Sequence, residues 1–232
     1  MKNIIKIILS VLSKTRSYLN FIFYSSRHNK AAVPVMFYQS FYSLNGTANQ
    51  LNITGSAEKS DFFIDGTGNN VGIANTEISN TIVTVSGNNN TLQCEDGVKL
   101  RNAVITIRGN SCIIKIGKGT TFGGVRIVNV GTDNEINIGA GCLFADLIEI
   151  WASDTHPIYN EQKEIINKEK PIIIKDKVWV GARAVILKGV TIESGSIVGM
   201  GSLVINNVPA SSITAGNPNR VIKENISWAL HY

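Results

Sequence analysis

One histidine in the middle of the chain is the residue best suited to acid–base chemistry. His156 is the only histidine between His28 and His231, and it lies in a polar stretch, residues 152–171 (ASDTHPIYNEQKEIINKEKP). A neutral imidazole accepts a proton near pH 7, so a histidine there suits a general base. Taken alone, a histidine in an exposed loop is more often an ordinary surface residue.

Three residues near His156 are candidates for binding a substrate. Trp151 and Tyr159 offer flat faces to a ligand, although either side chain would also serve as an anchor for the loop. Asp154 is placed to orient the imidazole or to bind a hydroxyl group, although an acid at this spacing before a proline-bounded loop is as often a turn residue.

The cysteines do not indicate a metal site. Cys94, Cys112 and Cys142 stand singly, without metal-ligand spacing, and three thiols cannot all pair with one another. We therefore expect them to be small core residues in a reducing cytoplasm.

The elements that must position these residues follow a period of six. Aliphatic residues recur at every sixth place from Ile174 to Val204, and a period of six fits neither a helix nor an alternating strand. It fits a chain that turns a corner every six residues around a triangular core, with eighteen residues to a coil. The fourth place after each aliphatic residue is small or β-branched, and Gly189, Gly195 and Gly201 stand one place earlier, where a sharp turn requires positive φ.

A longer repeat precedes these hexads. Five segments begin with glycine: GTANQLNI (46–53), GTGNNVGI (66–73), GNNNTLQC (87–94), GNSCIIKI (109–116) and GTDNEINI (131–138). Their glycines are 20, 21, 22 and 22 residues apart, which predicts one coil per repeat and one strand spacing, roughly 4.8 Å, of rise. Asn49, Asn69, Asn90 and Asn134 share one column, where they suit left-handed turns and hydrogen bonds along the stack. From Leu51 to Val204 we predict seven or eight coils, interrupted by residues 152–171, the excursion loop.

The two ends of the chain differ from the coils. Residues 1–30 carry six of the basic side chains and no acid, against a net charge of +5 for the whole chain. Residues 3–24 have the pattern of an amphipathic helix, too interrupted by charge to span a membrane. We expect this helix to cover the open end of the solenoid or to pack between subunits; peripheral attachment to a membrane surface is the alternative. The predicted division is a basic helix (1–30), a solenoid (31–214) and a C-terminal segment with a short helix (215–232).

Three stretches carry a resemblance to a known family. DTHPIY (154–159), KVWVGARAVILKGVTIESGSIVGMGSLV (177–204) and AGNPNRVIKENISW (215–228) resemble the hexapeptide-repeat acyltransferases, and most of all the O-acetyltransferases of bacterial capsular polysaccharides such as polysialic acid. The resemblance implies an all-β, left-handed parallel β-helix, although ordinary parallel crossovers are right-handed. It also implies a homotrimer with acetyl-CoA between neighbouring subunits.

The same resemblance assigns roles to residues. It implies that His156 is the general base and that Trp179, whose other plausible role is corner packing, lies against the acceptor and the acetyl group. It implies an oxyanion donor near Gly181 and Ala182. The other residues expected to line the acetyl-CoA groove are Gly199, Met200, Gly201, Ser202, Asn217 and Pro218. Lys188, Arg220 and Lys223 are the basic residues near enough to bind phosphates; Arg220 and Lys223 fall within the matching segment.

The sequence therefore predicts an O-acetyltransferase that moves an acetyl group from acetyl-CoA to a hydroxyl of a cell-surface saccharide. No cysteine or serine forms a nucleophile motif with His156, so direct transfer is favoured over an acyl-enzyme. One alternative is a small acceptor, such as an antibiotic, a simple sugar or a nucleotide-linked amino sugar, and another is a non-catalytic glycan-binding solenoid. A zinc site of the γ-carbonic anhydrase type needs three histidines, and the coils contain one. We expect a cytoplasmic enzyme, at the inner face of the membrane if the basic helix binds lipid, with no metal and no nucleic-acid partner.

Overall fold

The computed structural model describes residues 28–33 and 36–230, and they form a parallel β-solenoid. The predicted amphipathic helix over residues 3–24 lies outside the described residues. Within the described part there is no helix, and so none with the length and apolarity needed to cross a membrane. The all-β prediction is confirmed.

The strands lie on three faces of a triangular prism, and each coil contributes a segment to every face. The first face contains β1 (Lys30–Ala32), the start of β4 (Gln50–Glu58) and of β6 (Asn70–Ser79), β8 (Thr91–Cys94), β11 (Ile113–Ile116), β14 (Glu135–Ile138), β17 (Ile172–Ile174) and β20 (Thr191–Ile192). The second face contains β2 (Met36–Tyr38), the ends of β4 and β6, β9 (Lys99–Arg101), β12 (Thr121–Phe122), β15 (Leu143–Phe144), β18 (Trp179–Val180), β21 (Ile197–Val198) and β23 (Ile213–Ala215). The third face contains β3 (Phe41–Thr47), β5 (Asp61–Thr67), β7 (Ile82–Asn88), β10 (Ala103–Asn110), β13 (Val125–Thr132), β16 (Ile148–Trp151), β19 (Val185–Leu187) and β22 (Leu203–Val204).

The core is the column predicted from the six-residue period. Its aliphatic members from Ile174 to Val204 are at most 1% exposed, and the small residues at the fourth place after them are equally buried. Branched aliphatic side chains suit short strands buried on their inner face, which is why these hexads form strands and not helices. Seven coils lie between Leu51 and Val204, as predicted.

The asparagine column forms a hydrogen-bonded ladder inside one corner. Asn49 Oδ1 accepts bonds from the backbone N and the Nδ2 of Asn69, and Asn69 Oδ1 accepts the same pair from Asn90, all at 3.0 Å. Cys112 takes the next place in the column, where its amide donates to Asn90 Oδ1 at 2.9 Å. The predicted left-handed conformation belongs to the residue before each column member: Ala48, Gly68, Asn89, Ser111 and Asp133.

A glycine column beside this ladder is enforced by close stacking. Gly66, Gly87 and Gly109 have φ of +118°, +107° and +141°. A Cβ on Gly87 would lie 1.9 Å from the carbonyl oxygen of Gly109, so no other residue fits without moving the backbone.

The predicted C-terminal helix is wrong for the described residues of that segment. Residues 220–223 form β24 (Arg220–Lys223), which pairs antiparallel with β23. The chain turns back at Gly216, whose φ is +102°, and the buried Asn219 accepts hydrogen bonds from the amides of Ile205 and Asn206 at 3.1 and 3.2 Å. This turn directs the following residues back along the last strand, so they pair with it.

Candidate active site

The excursion loop leaves the corner between the third and first faces as a short hairpin. It starts after β16, and the chain rejoins the wall at β17. The amide of Ile166 donates to the carbonyl of Ile158 at 2.9 Å, and the amide of Asn160 donates to the carbonyl of Glu164 at 3.0 Å. The buried Asn134 fixes the start of the loop, because its Nδ2 donates to the carbonyl of Ala152 at 3.0 Å.

His156 lies at the base of this hairpin and is exposed to solvent. Its carbonyl oxygen accepts a hydrogen bond from Asn167 Nδ2 at 2.9 Å. The imidazole is therefore presented by a loop whose main chain is fixed, which suits the proton-accepting role predicted for it.

Asp154 does not hydrogen-bond to the imidazole among the contacts of the described residues. Its Oδ2 accepts from Lys188 Nζ at 2.6 Å and from Asn167 Nδ2 at 2.8 Å. The hydrogen bond from Lys188 is the main reason that the pKa of Asp154 is lowered, and partial burial opposes it. Lys188, considered above as a phosphate ligand, is thus already paired within its own chain.

The two aromatic residues expected to bind substrate lie on different elements. Trp151 is half-buried on β16, where its Nε1 donates to Glu149 Oε2 at 2.7 Å. Tyr159 is 56% exposed on the hairpin, where it forms an antiparallel bridge with Ile165. Tyr159 is therefore largely accessible to solvent. The hydrogen bond to Glu149 fixes the direction of the Trp151 indole.

Trp179 projects outward from the second face and is covered in part by the C-terminal segment. It is 40% exposed, and its ring centroid lies 6.0 Å from that of Trp228. Trp228 is held there because its Nε1 donates to the carbonyl of Lys177 at 3.0 Å. In a triangular prism the second face is opposite the corner that carries His156, so one chain does not bring His156 and Trp179 together.

The residues predicted to line the acetyl-CoA groove share the corner between the second and third faces. Gly181 and Ala182 follow β18, and Gly199, Met200 and Gly201 follow β21 one coil later. The amides of Gly181, Gly199 and Gly201 donate to coil carbonyls at 2.8, 2.7 and 2.9 Å. Among the contacts of the described residues the amides of Ala182 and Met200 have no acceptor, so these two N–H groups are candidate donors to a ligand.

The remaining predicted groove residues divide into one inward and four outward positions. Ser202 is 1% exposed and its Oγ donates to the carbonyl of Gly199 at 2.7 Å, so its side chain does not reach the surface. Asn217 and Pro218 are exposed at the turn after β23, and Arg220 and Lys223 are exposed on β24.

The cysteines are buried free thiols, as expected for core residues. Burial raises the pKa of Cys94 to about 12 and is the main cause that raises the pKa of Cys142 to about 11. Thiols of this kind are poor nucleophiles. Within the described part of the chain, no three histidine, cysteine or acidic side chains are grouped as metal ligands.

Sequence reasoning missed three residues that shape the site. These residues are Asn167, Trp228 and Lys188, the last in its contact with the loop. Each makes its contact only once along the chain, so the sequence carries no periodic signal for it.

Two surface cavities of about 310 and 410 Å³, lined by Lys115 and Arg126 among others, involve none of the predicted site residues.

Comparisons with known proteins agree on one family. The family model for bacterial transferase hexapeptide (six repeats) matches residues 171–206. A polysialic acid O-acetyltransferase of Escherichia coli O1:K1 / APEC is 39% identical over 89 residues, which are 38% of this chain. That alignment spans only 29% of the relative's length.

Two solved structures match most of the chain. The polySia-specific acetyltransferase NeuO has a TM-score of 0.71 and 29% identity, over 88% of each chain. The polysialic acid O-acetyltransferase OatWY has the same TM-score and identity, over 88% of this chain and 92% of its own. This likeness confirms the left-handed β-helix that the resemblance implied.

Proposed function

The chain belongs to the hexapeptide-repeat transferases, and on that premise we propose that it transfers an acetyl group from acetyl-CoA to a hydroxyl of a cell-surface saccharide, of the capsular or sialic-acid type. The observation that carries this proposal is the match to two polysialic acid acetyltransferases over 88% of the chain. A match of this extent covers far more of the chain than the hexads of residues 171–206.

The proposed chemistry is direct transfer with His156 as general base. The neutral imidazole accepts the proton of the acceptor hydroxyl while the hydroxyl oxygen attacks the thioester carbonyl carbon. A C–O bond forms, the C–S bond breaks, and the imidazolium returns the proton to the thiolate that leaves. A positioned base of this kind contributes about 10²- to 10⁴-fold to the rate.

The donors at the corner fit the thioester. Because the amide of Gly181 already donates a hydrogen bond to the carbonyl of Val198, the amide of Ala182 is the better candidate to donate to the developing oxyanion. The amide of Met200, one coil further, is free to bind the pantetheine chain. The exposed Arg220 and Lys223 suit the phosphates of coenzyme A.

The position of His156 relative to Trp179 supports a homotrimer. In a single chain the two residues are on opposite sides of the prism, and both belong to the proposed site. A site that joins the excursion loop of one subunit to the second face of a neighbour contains both, and a closed ring of three subunits forms three such sites.

Complementation between subunits tests this arrangement. His156→Asn and Trp179→Ala chains, each of low activity alone, should recover about a quarter of the wild-type rate when assembled together at equal amounts, because that share of sites receives both native residues. If the mixed oligomer is no more active than its components, the two residues do not share a site across subunits.

An acceptor panel tests the function itself. Purified protein is incubated with acetyl-CoA and polysialic acid, free sialic acid, maltose or an aminoglycoside, and the released thiol and the acetylated product are quantified. We expect O-acetylated sialic-acid polymer. Thiol release only with a small acceptor would support the small-acceptor alternative. Binding to the polymer without thiol release would support a glycan-binding solenoid.

We also propose that the enzyme works in the cytoplasm, next to the inner face of the membrane. The six positive charges of residues 1–30 support this, because such a segment is attracted to anionic lipid and to anionic polymers alike. Sedimentation with vesicles that contain anionic lipid, compared for the full chain and a chain lacking residues 1–27, tests the membrane contact.

A further inference from the structure

Lys188 lies beneath the excursion loop, where all three of its N–H donors are used. It follows β19, and its side chain is 16% exposed. Its Nζ donates to Asp154 Oδ2 at 2.6 Å, to the carbonyl of Asn167 at 2.7 Å and to the carbonyl of Lys168 at 3.2 Å. An ammonium group has three N–H donors, so no donor of Lys188 remains for another acceptor. Because Asp154 lies on one arm of the loop and Asn167 and Lys168 lie on the other, Lys188 joins both arms to the rigid wall.

Asn167 extends this connection to the main chain on both sides of His156. Its Nδ2 donates to Asp154 Oδ2 at 2.8 Å and to the carbonyl of His156 at 2.9 Å. Its Oδ1 accepts from the amide of Ile158 at 2.7 Å. One side chain thus spans the segment that carries the imidazole.

The residue before His156 has a strained backbone. Thr155 has φ of +62°, a conformation that β-branched residues rarely adopt. Its amide donates to Ser153 Oγ at 3.0 Å. Strain of this kind persists only where surrounding contacts impose it, and it concentrates at functional sites.

We propose that Lys188, Asp154 and Asn167 are positioning residues that set the place and direction of the His156 imidazole. This inference rests on the proposed function. It assigns Lys188 to the loop and not to a phosphate, and it assigns the carboxylate of Asp154 to the support of the base and not to the substrate. Because proton transfer needs the imidazole within hydrogen-bond reach of the acceptor hydroxyl, a loosened loop lowers the rate of the chemical step.

The kinetic test compares Lys188→Met with Lys168→Met, a matched loss of charge on an exposed side chain of the same loop. We expect Lys188→Met to lower kcat by about 10²-fold, with the KM for acetyl-CoA within about two-fold of wild type, because the groove corner is unchanged. Lys188→Arg, which keeps the charge and the donors, should recover part of kcat. A raised KM with unchanged kcat would instead make Lys188 a ligand of the donor and overturn the proposal.

A second variant covers the case in which Lys188→Met does not fold. Asn167→Ala removes three hydrogen bonds from an exposed loop without changing the core, and it should also lower kcat. Wild-type kcat in Asn167→Ala would overturn the proposal.

Hydrogen exchange separates this proposal from the proposed function. In Asn167→Ala and Lys188→Met, a peptide covering residues 154–166 should exchange faster than in the wild-type protein, and in Lys168→Met it should not. Unchanged exchange in both loop variants overturns the positioning role, whatever the activity. Faster exchange in the two loop variants, together with a wild-type protein that never consumes acetyl-CoA, supports the structural connection and refutes the transferase function on which its catalytic meaning rests.

Discussion

Substitution of Asn69 by alanine should destabilise the solenoid strongly, because this side chain links three coils. It is fully buried, and its Nδ2 donates to Asn49 Oδ1, to the carbonyl of Asp65 and to the carbonyl of Gly87 at 3.0, 3.2 and 2.8 Å. Its Oδ1 accepts from the backbone N and the Nδ2 of Asn90. Alanine removes all five bonds and leaves the buried amide of Asn90 without its acceptor.

The expected loss in free energy of unfolding is about 4 kcal/mol, from net values near 1 kcal/mol per hydrogen bond and the added cost of a buried unpaired donor. The assay is urea unfolding followed by far-UV circular dichroism, with midpoints compared at equal slope. The control is Asn70→Ala, an adjacent exposed asparagine that should change stability by less than about 0.5 kcal/mol. A loss below about 1 kcal/mol for Asn69→Ala would refute the ladder as a main source of stability.

Three further perturbations follow from the same structure. Gly87→Ala places a Cβ 1.9 Å from the carbonyl oxygen of Gly109 and should lower the urea midpoint more than alanine at the open Gly72, which has no atom within 4 Å of that position. The pKa of Asp154 is lowered below its usual 3.8, so the hydrogen bonds that its carboxylate accepts from Lys188 and Asn167 are complete above pH 3.8 and are lost as pH falls through the lowered value; peptide exchange in the loop should accelerate only in that acid range, and equal acceleration near pH 6 would contradict the assignment. Trp228→Phe should change the near-UV circular dichroism of the Trp179 pair while leaving the far-UV spectrum unchanged, and an unchanged near-UV spectrum would mean that the two rings do not pack in solution.

The periodic features of the fold were predictable from the sequence. Each side of a coil requires a buried aliphatic residue, so the six-residue period records the geometry directly, as the column from Ile174 to Val204 demonstrates. The asparagine ladder was predictable for the same reason. Its left-handed positions were misassigned by one residue, because Asn69 and Asn90 use their side chains inside the corner and the preceding residues make the turn.

The contacts that shape the site were not predictable, because they join distant residues once only. Lys188 and Asp154 are 34 residues apart, and nothing in their spacing indicates a 2.6 Å bond. The C-terminal segment was misassigned because local propensity does not register that Asn219 reverses the chain onto β23. Ser202 illustrates a third limit: at a corner, one place along the chain decides whether a side chain points into the core or towards a ligand.

The measurement that tests the central claim most directly is the rate of acetyl transfer by His156→Asn, with His28→Asn as the matched control outside the loop. We expect His156→Asn to keep the wild-type circular dichroism spectrum and to lower kcat for transfer from acetyl-CoA to polysialic acid by at least about 10²-fold, and we expect His28→Asn to retain wild-type kcat. Wild-type kcat in a folded His156→Asn protein would contradict the account, because the imidazole would then not be the base.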